Sequence, residues 1–328
     1  MMKKIELYEV GFRDWRFCHK ATIETESIVE TIKMLVDGGM RRVEIGASVN
    51  YDRYPEVKDS FKILEELRKL NLNCRYVMYV GSGEKNYPKN KVEELVRQGK
   101  LEKVIMPDEI SVSISASEKR NFEVYGISGN RIFEHIKKHI ERAKSDGLKV
   151  RGYVSAAFGY ENKDDVMIQE VIKWCKLLFD LGCYEVSLGD TRGKAFYEPF
   201  TEKWKIMRNH LPLDKIALHF HEHDYFLWER DLTQVLKDVS VFDTSILDIP
   251  MAKVGKEHDV APIIKSIPPN ASTEQMIFFI NQMNAAAMFN EKDRVILGAD
   301  SITTGLDYAI IKEAGDFIRR QKKIVFEK

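Results

Sequence analysis

Lys149-Val150-Arg151-Gly152-Tyr153-Val154-Ser155-Ala156-Ala157, the run from Asp165 to Asp180, a glycine at 182 and then Tyr184-Glu185-Val186-Ser187-Leu188-Gly189 read as one complete strand–helix–strand unit. The outer runs carry the β-branched and aromatic residues that favour strands. Gly182 supplies the left-handed conformation that closes a helix. Two strands joined by a helix run parallel, because antiparallel neighbours need only a short turn.

The same unit recurs in both directions from this stretch. Towards the N-terminus the chain predicts a strand from Lys4 to Arg13 and a helix from Thr25 to Asp37 closed at Gly38-Gly39. A strand from Arg42 to Ala47, a helix near Tyr54 to Leu70, a strand from Cys74 to Val80 and a helix near Lys89 to Gln98 ending at Gly99 follow. Glu109 to Ser115 is a fourth strand, and Ile132, Ile136, Ile140 and Ala143 mark the face of a helix that stops before Gly147. Towards the C-terminus come a helix from Lys203 to Asn209, a strand from Ile216 to His221, a helix from Leu227 to Lys237 and an eighth strand from Val241 to Ile249. Eight alternations without a Pro/Gly/Ser-rich linker predict an α/β chain folded as a (β/α)8 TIM barrel, rather than a doubly wound open sheet. The expected organisation is one domain over 1–328, with the barrel at about 4–284 and a C-terminal helical extension at about 285–328.

Composition narrows the function. A 328-residue chain that is 44% hydrophobic can bury a large core. Its 51 basic and 51 acidic residues cancel, which argues against nucleic acid or an anionic membrane as partner. No apolar run is long enough to span a bilayer, and Met1 to Asp14 lacks the apolar centre of a signal peptide. Cys18, Cys74, Cys175 and Cys183 show neither zinc spacing nor a disulfide framework. The expectation is a cytoplasmic protein with a small-molecule substrate, with exposed barrel helices available to pair subunits as a homodimer.

In a barrel the active site is assembled at the C-terminal ends of the strands, where Arg13-Asp14, Asp190 and His219-Phe220-His221 fall, with Glu44 inside strand two. Two histidines one residue apart on a strand share a face and make a two-pronged clamp. Imidazole suits transition divalent ions, while oxygens from Asp14 and Asn270 move the preference towards Mg²⁺ or Mn²⁺. The plainer readings are two satisfied histidines at a strand end, a local Arg13–Asp14 ion pair, and Asp190 capping the following segment. Glu44, between Val43 and Ile45, is a costly buried charge unless paired, with Arg13 as one candidate partner.

The runs EVGFRD (Glu9–Asp14), SVSISASE (Ser111–Glu118), VRGYVSAAFG (Val150–Gly159), CYEVSLGDTRG (Cys183–Gly193), LHFH (Leu218–His221) and TGLDYAIIKEAGDFI (Thr304–Ile318) resemble 3-hydroxy-3-methylglutaryl-CoA lyase. Through it the chain resembles the wider superfamily of metal-dependent barrel lyases and Claisen-type synthases. The resemblance covers nearly the whole chain in order. It implies that Asp14, His219, His221 and Asn270 ligate a divalent cation, that Arg13 polarises a substrate carbonyl, and that Glu44 and Asp190 are the remaining catalytic acids. Lys20 falls where the family commonly has a lysine. It also implies an acyl-CoA as substrate.

Departures cluster at the expected mouth. The lyases carry a Gly-Gly-Cys-Pro-Tyr-Ala loop with a catalytic cysteine, whereas Leu247 to Gly255 here contains none. Trp15-Arg16-Phe17-Cys18-His19 replaces a Gly-Leu-Gln-Asn-Glu-like run, Arg192 stands in place of an aliphatic residue, and His223 adds an imidazole. Arg16, Arg192 and His223, with Lys20, are therefore candidate substrate-binding residues. Cys18, as a relocated thiol, and His19 are candidate proton donors. Three activities follow: a metal-dependent carbon–carbon lyase acting on a branched hydroxy acid or its acyl-CoA thioester, a synthase joining an acyl-CoA to a 2-oxo acid, and a metabolite-binding barrel without catalysis.

Overall fold

The computed structural model describes residues 2–161, 165–195, 200–221, 232–247, 270–289, 301–321 and 325–326. Eight parallel strands close into a barrel: β1 (Glu6–Glu9), β2 (Arg42–Ser48), β3 (Arg75–Val80), β4 (Glu109–Ser115), β5 (Lys149–Ser155), β6 (Glu185–Gly189), β7 (Ile216–His219) and β8 (Val241–Thr244). Each pairs with the next, and β8 pairs with β1, so no edge of this sheet is left open. The helices α1 (Asp14–His19), α2 (Thr25–Asp37), α3 (Ser60–Lys69), α4 (Pro88–Arg97), α5 (Glu118–Tyr125), α6 (Gly129–Ser145), α7 (Ile168–Leu181) and α8 (Phe200–Arg208) accompany the strands. The fold is an α/β TIM barrel.

Period-two alternation explains where the core sits. Val43 and Ile45, Ile110, Val112 and Ile114, Val150 and Val154, and Val186 and Leu188 join the apolar layer shared with the helices. The alternate positions point inward and are largely polar: Arg151 is in register with Ser111 and Glu185, and Tyr153 with Ser113 and Ser187. The floor of the barrel is accordingly an ion network. Arg151 donates from Nε to Glu185 (2.5 Å) and from its two Nη to Asp243 (2.6 and 3.1 Å), while Arg42 donates to the same Glu185 (2.8 Å). Forked, fully paired charges are what allow these groups to be buried, since an unpaired one would cost several kcal/mol.

A bulge between Glu44 and Gly46 shifts β2 against β3. A Cβ at Gly46 would lie 2.2 Å from Ser60 Oγ, so only glycine lets α3 approach here.

Several expected boundaries move. The strand predicted from Lys4 to Arg13 stops at Glu9, whose carboxylate accepts the Gly11 and Ile246 amides and so turns the chain; Arg13 becomes the N-cap of α1. The helix expected from Tyr54 to Leu70 is instead a 3-10 turn (Pro55–Val57), with Pro55 at its first position, and then α3, the break falling at Lys58–Asp59. Helix α5 was not expected; Ser117 caps its start and Gly126, with φ of 71°, its end. Strand eight ends at Thr244, and Asp248 and Ile249 lie outside the described residues, as does 227–231 of the predicted seventh helix.

Beyond the barrel, α9 (Thr273–Phe289) and α10 (Tyr308–Arg319) follow, the latter against α2. The C-terminal extension is not purely helical: Ser301–Thr303 pairs in parallel with Met2–Lys4, and Val325–Phe326 pairs antiparallel with Ala21–Thr22. No described helix is long and apolar enough to cross a membrane.

Candidate active site

Four elements bring the predicted ligands together. His219 is the last residue of β7 and points inward, and His221 repeats that direction two residues on. Ala271 donates its amide to the Phe220 carbonyl (3.0 Å), and His221 and Asn270 form an isolated antiparallel bridge, so backbone pairing carries Asn270 to the histidines. Asp14 opens α1 directly after β1. The resulting donor atoms of Asp14, His219 and His221 all lie within 4.8 Å of one another. The two Nε2 atoms are 3.1 Å apart, and Asp14 Oδ2 is 3.7 Å from His219 Nε2 and accepts from Asn270 Nδ2 (3.1 Å). The buried Asn270 Oδ1 has no partner among the described residues. Facing imidazoles, a carboxylate and an orphaned amide oxygen suit a divalent cation bound through nitrogen and oxygen. Burial opposes ionisation of Asp14, but Arg13 and the two histidines outweigh it and hold its carboxyl far below the usual range.

Behind the histidines lies support that the sequence reading missed. Asp243, fully buried on β8, accepts from His219 Nδ1 (3.2 Å), from Ser187 Oγ (2.9 Å) and from Arg151. Burial would raise its carboxyl, yet Arg151 and His219 bring it down to about 2. A carboxylate on Nδ1 leaves Nε2 bare towards Asp14 and His221. The available signal was an acid inside the apolar run Val241-Phe242-Asp243-Thr244, the same anomaly that singled out Glu44.

Arg13 and Glu44 do pair. Arg13 donates from Nε to Glu44 (2.5 Å) and from Nη1 to Asp14, and its Cζ lies 5.2 Å from the centroids of both Tyr79 and Tyr153. Glu44 also accepts from Ser111 Oγ and from Tyr153 OH (3.3 Å). Tyr153 and Ser111, inward positions of β5 and β4, were likewise not singled out. Asp190, at the end of β6, accepts the Lys194 and Ala195 amides on Oδ1 (2.6 and 3.1 Å), while its buried Oδ2 has no partner. Burial pushes its carboxyl up to about 7 against those two amides.

A cavity of about 560 Å³ opens above this cluster, lined by Arg13, Asp14, Phe17, Lys20, Tyr54, Tyr79, Tyr125, Tyr153, His219 and His221 among others. Lys20 lines it with its ammonium 3.1 Å from Glu56 and 4.5 Å over the Tyr54 ring. Arg16 does not line it, which corrects its expected place in the pocket. Its side chain is fully buried on the far side of α1, donating to Asp59 (2.7 Å) and to the Glu56 carbonyl. Arg192 lies beside the cavity rather than in its wall, donating to Tyr160 OH (3.0 Å) with its Cζ 4.2 Å from that ring. His223 and the side chains of Cys18 and His19 lie outside the described residues, as does 248–269, the segment matching the cysteine loop. Among the described cysteines, burial raises the Cys74 and Cys183 thiols to about 12 and Cys175 higher, which leaves none of them a ready nucleophile.

A family model described as HMGL-like matches residues 4–226. The cytoplasmic 3-hydroxy-3-methylglutaryl-CoA lyase of Danio rerio is 26% identical over 314 residues, covering 96% of this chain and 82% of its own length. The hydroxymethylglutaryl-CoA lyase YngG of Bacillus subtilis is 26% identical over 282 residues, 86% of this chain and 87% of its own. The crystal structure of the HMG-CoA lyase from Brucella melitensis shares the barrel with a TM-score of 0.75 at 24% identity, covering 97% of this chain and 98% of that one. A family match over two-thirds of the chain, starting at β1 and running through β7 with its histidines, places this protein in the HMGL-like family.

Proposed function

We propose that this protein is a divalent-metal-dependent carbon–carbon lyase, acting by retro-aldol or retro-Claisen cleavage on a branched hydroxy acid or its acyl-CoA thioester. The observation that carries the reading is the convergence of Asp14, His219, His221 and Asn270 beside an arginine fixed by Glu44, with Arg13, Asp14 and the two histidines lining one cavity. Those four residues would hold Mg²⁺ or Mn²⁺, which supplies Lewis acidity that lowers the pKa of a substrate hydroxyl and orients it.

The chain's own residues account for the rest. Arg13 keeps donors free of Glu44 and Asp14 for the oxygen on which an enolate develops, and its geometry is preset by Glu44, Ser111 and Tyr153. Asp190, buried between the cavity-lining Gly189 and Thr191 with its carboxyl raised to about 7, or a histidine would take the hydroxyl proton. The Tyr79, Tyr153 and Phe17 rings restrict water around the reacting carbon. Support from the family comes from relatives named as hydroxymethylglutaryl-CoA lyases.

Substrate and proton donor are expected to differ from those relatives, because Ile249 to Gly255 contains no cysteine. Loss of an acid within reach of the departing enolate costs about 10²- to 10⁴-fold. The test incubates the Mn²⁺-loaded protein with 3-hydroxy-3-methylglutaryl-CoA and, separately, with acyl-CoA plus a 2-oxo acid, following free thiol. Slow cleavage of the first with faster turnover of another hydroxy acid supports the reading. Thiol release only in the second mixture would make the protein a Claisen-type synthase, and silence in both with metal retained a binding barrel. Alkylation-sensitive activity that vanishes in Cys18→Ser would identify a relocated thiol, and indifference to both would leave His19, His223 or water as donor.

A further inference from the structure

In the wall of the same cavity, Arg53 and Arg120 have no carboxylate partner among the described residues. Arg120, in the first turn of α5, donates from Nη1 to Ser155 Oγ (3.2 Å). Arg53 donates from Nη2 to the Val124 carbonyl (3.0 Å) and lies 5.4 Å over the Tyr54 ring. Val124 lies one helical turn after Arg120 on α5, so the bond from Arg53 to its carbonyl sets the two guanidiniums against the same stretch of helix, and both line the cavity. A guanidinium has five donors, and each of these has one described bond. The other cavity cations are already neutralised, Arg13 by Asp14 and Glu44 and Lys20 by Glu56. Glu123, the acid on this side, accepts from Tyr160 OH (2.5 Å) and lies 3.9 Å from Lys119. Between the two ends runs a chain of hydroxyls: Ser113 Oγ is 2.8 Å from both Tyr79 OH and Tyr125 OH.

We propose that Arg53 and Arg120 form a subsite for a second anionic group, carboxylate or phosphate, on the end of a small hydroxy acid remote from the reacting carbon. The Tyr79–Ser113–Tyr125 hydroxyls would line the stretch between. This rests on the histidine end being the reacting end. Only the Tyr79 ring, 5.2 Å from Arg13 Cζ, separates Arg13 from the hydroxyl chain. That anion belongs to the same small molecule in this proposal, and an acyl-CoA thioester is the probe that separates it from the nucleotide phosphates of coenzyme A, which sit at the end of a long pantetheine arm.

The test uses calorimetry on the Mn²⁺-loaded protein with a homologous series of 2-hydroxy-2-methyl dicarboxylates, each paired with its distal monomethyl ester. The best-fitting diacid should bind about tenfold or more tightly than its ester, the effect of a charge-assisted hydrogen bond. That preference should fall to near unity in Arg120→Gln and in Arg53→Gln, with bound Mn²⁺ and the affinity of the ester unchanged. No diacid preference in the wild type, or equal losses for diacid and ester, would overturn the proposal. So would a dependence on these arginines shown by an acyl-CoA thioester but by none of the diacids. An arginine-dependent diacid preference in a protein that takes up no Mn²⁺ would uphold the subsite and refute the metal-lyase reading instead.

Discussion

Asp243→Asn is the sharpest probe of the metal centre, because it replaces one oxygen by a nitrogen without changing size. Asp243 meets Arg151 with both oxygens (2.6 and 3.1 Å) and His219 Nδ1 with Oδ2 (3.2 Å). An asparagine keeps its oxygen on the shorter Arg151 contact (2.6 Å), which leaves its NH2 against the other Arg151 nitrogen, a repulsion that adds to the loss of charge, and against His219. Its amide then points at His219 Nδ1 and donates, which forces the imidazole proton onto Nε2, the nitrogen aimed at Asp14 and His221. Loss of such an orienting carboxylate costs about 10- to 100-fold in metal affinity, or roughly 1.4 to 2.7 kcal/mol. Stability falls too, because Arg151 keeps Glu185 as its sole full counter-charge, and breaking a buried pair costs about 3–5 kcal/mol. The assay titrates Mn²⁺ into wild type and variant and reads free ion by its paramagnetic resonance, with near-ultraviolet circular dichroism to show that the variant is folded. Folded Asp243→Asn with wild-type Mn²⁺ affinity would refute both the ligand role of His219 and the tautomer argument.

Replacing His219 and His221 together by Ala should abolish stoichiometric Mn²⁺ while the barrel melts as before, and unchanged metal content by elemental analysis would remove both from the site. Arg13→Lys should lower turnover by about 10²-fold or more, since an ammonium cannot hold Glu44 and Asp14 in a fork and still face an enolate oxygen; normal turnover with only a higher KM would make Arg13 a binding residue. Glu9 offers a pH test. Burial raises its carboxyl from the ordinary 4.5 to about 7, over the opposing bonds from the Ile246 and Gly11 amides and the Thr273 hydroxyl. The folded state thus keeps a proton that the unfolded chain releases across that interval. Stability should fall as pH rises through it by roughly 3 kcal/mol and then level off, a loss missing in Glu9→Gln. Urea unfolding at about pH 5 and about pH 8 measures it, and identical pH slopes in the two proteins would show that Glu9 is ionised throughout.

Strand–helix alternation was legible because each element carries its own periodicity: Val150, Val154, Val186 and Leu188 announce a strand face whatever the rest of the chain does. Their number and the missing linker determined the barrel, and the barrel rule placed Asp14, Asp190 and His219 on one rim before any coordinates. The anomaly of Glu44 was visible too, as a charge among apolar neighbours. Its charge partner Arg13 was nameable as well; the hydroxyls that also hold Glu44 were not, since Ser111 and Tyr153 are 67 and 109 residues away and meet it only when β4 and β5 turn the same face inward. Arg16 shows the reverse error. It is close in sequence to Asp14, yet α1 turns it to the opposite side, against Asp59. Arg151, Arg53 and Arg120 gave no local signal of function because their meaning lies in register and side-chain direction, and the signal at Asp243, an acid in an apolar strand, did not name its partners. By itself the sequence determined the repeated strand–helix units of the barrel and the rim that gathers the candidate ligands. Only the closed sheet decided which buried charges face each other, because that depends on contacts between residues far apart along the chain.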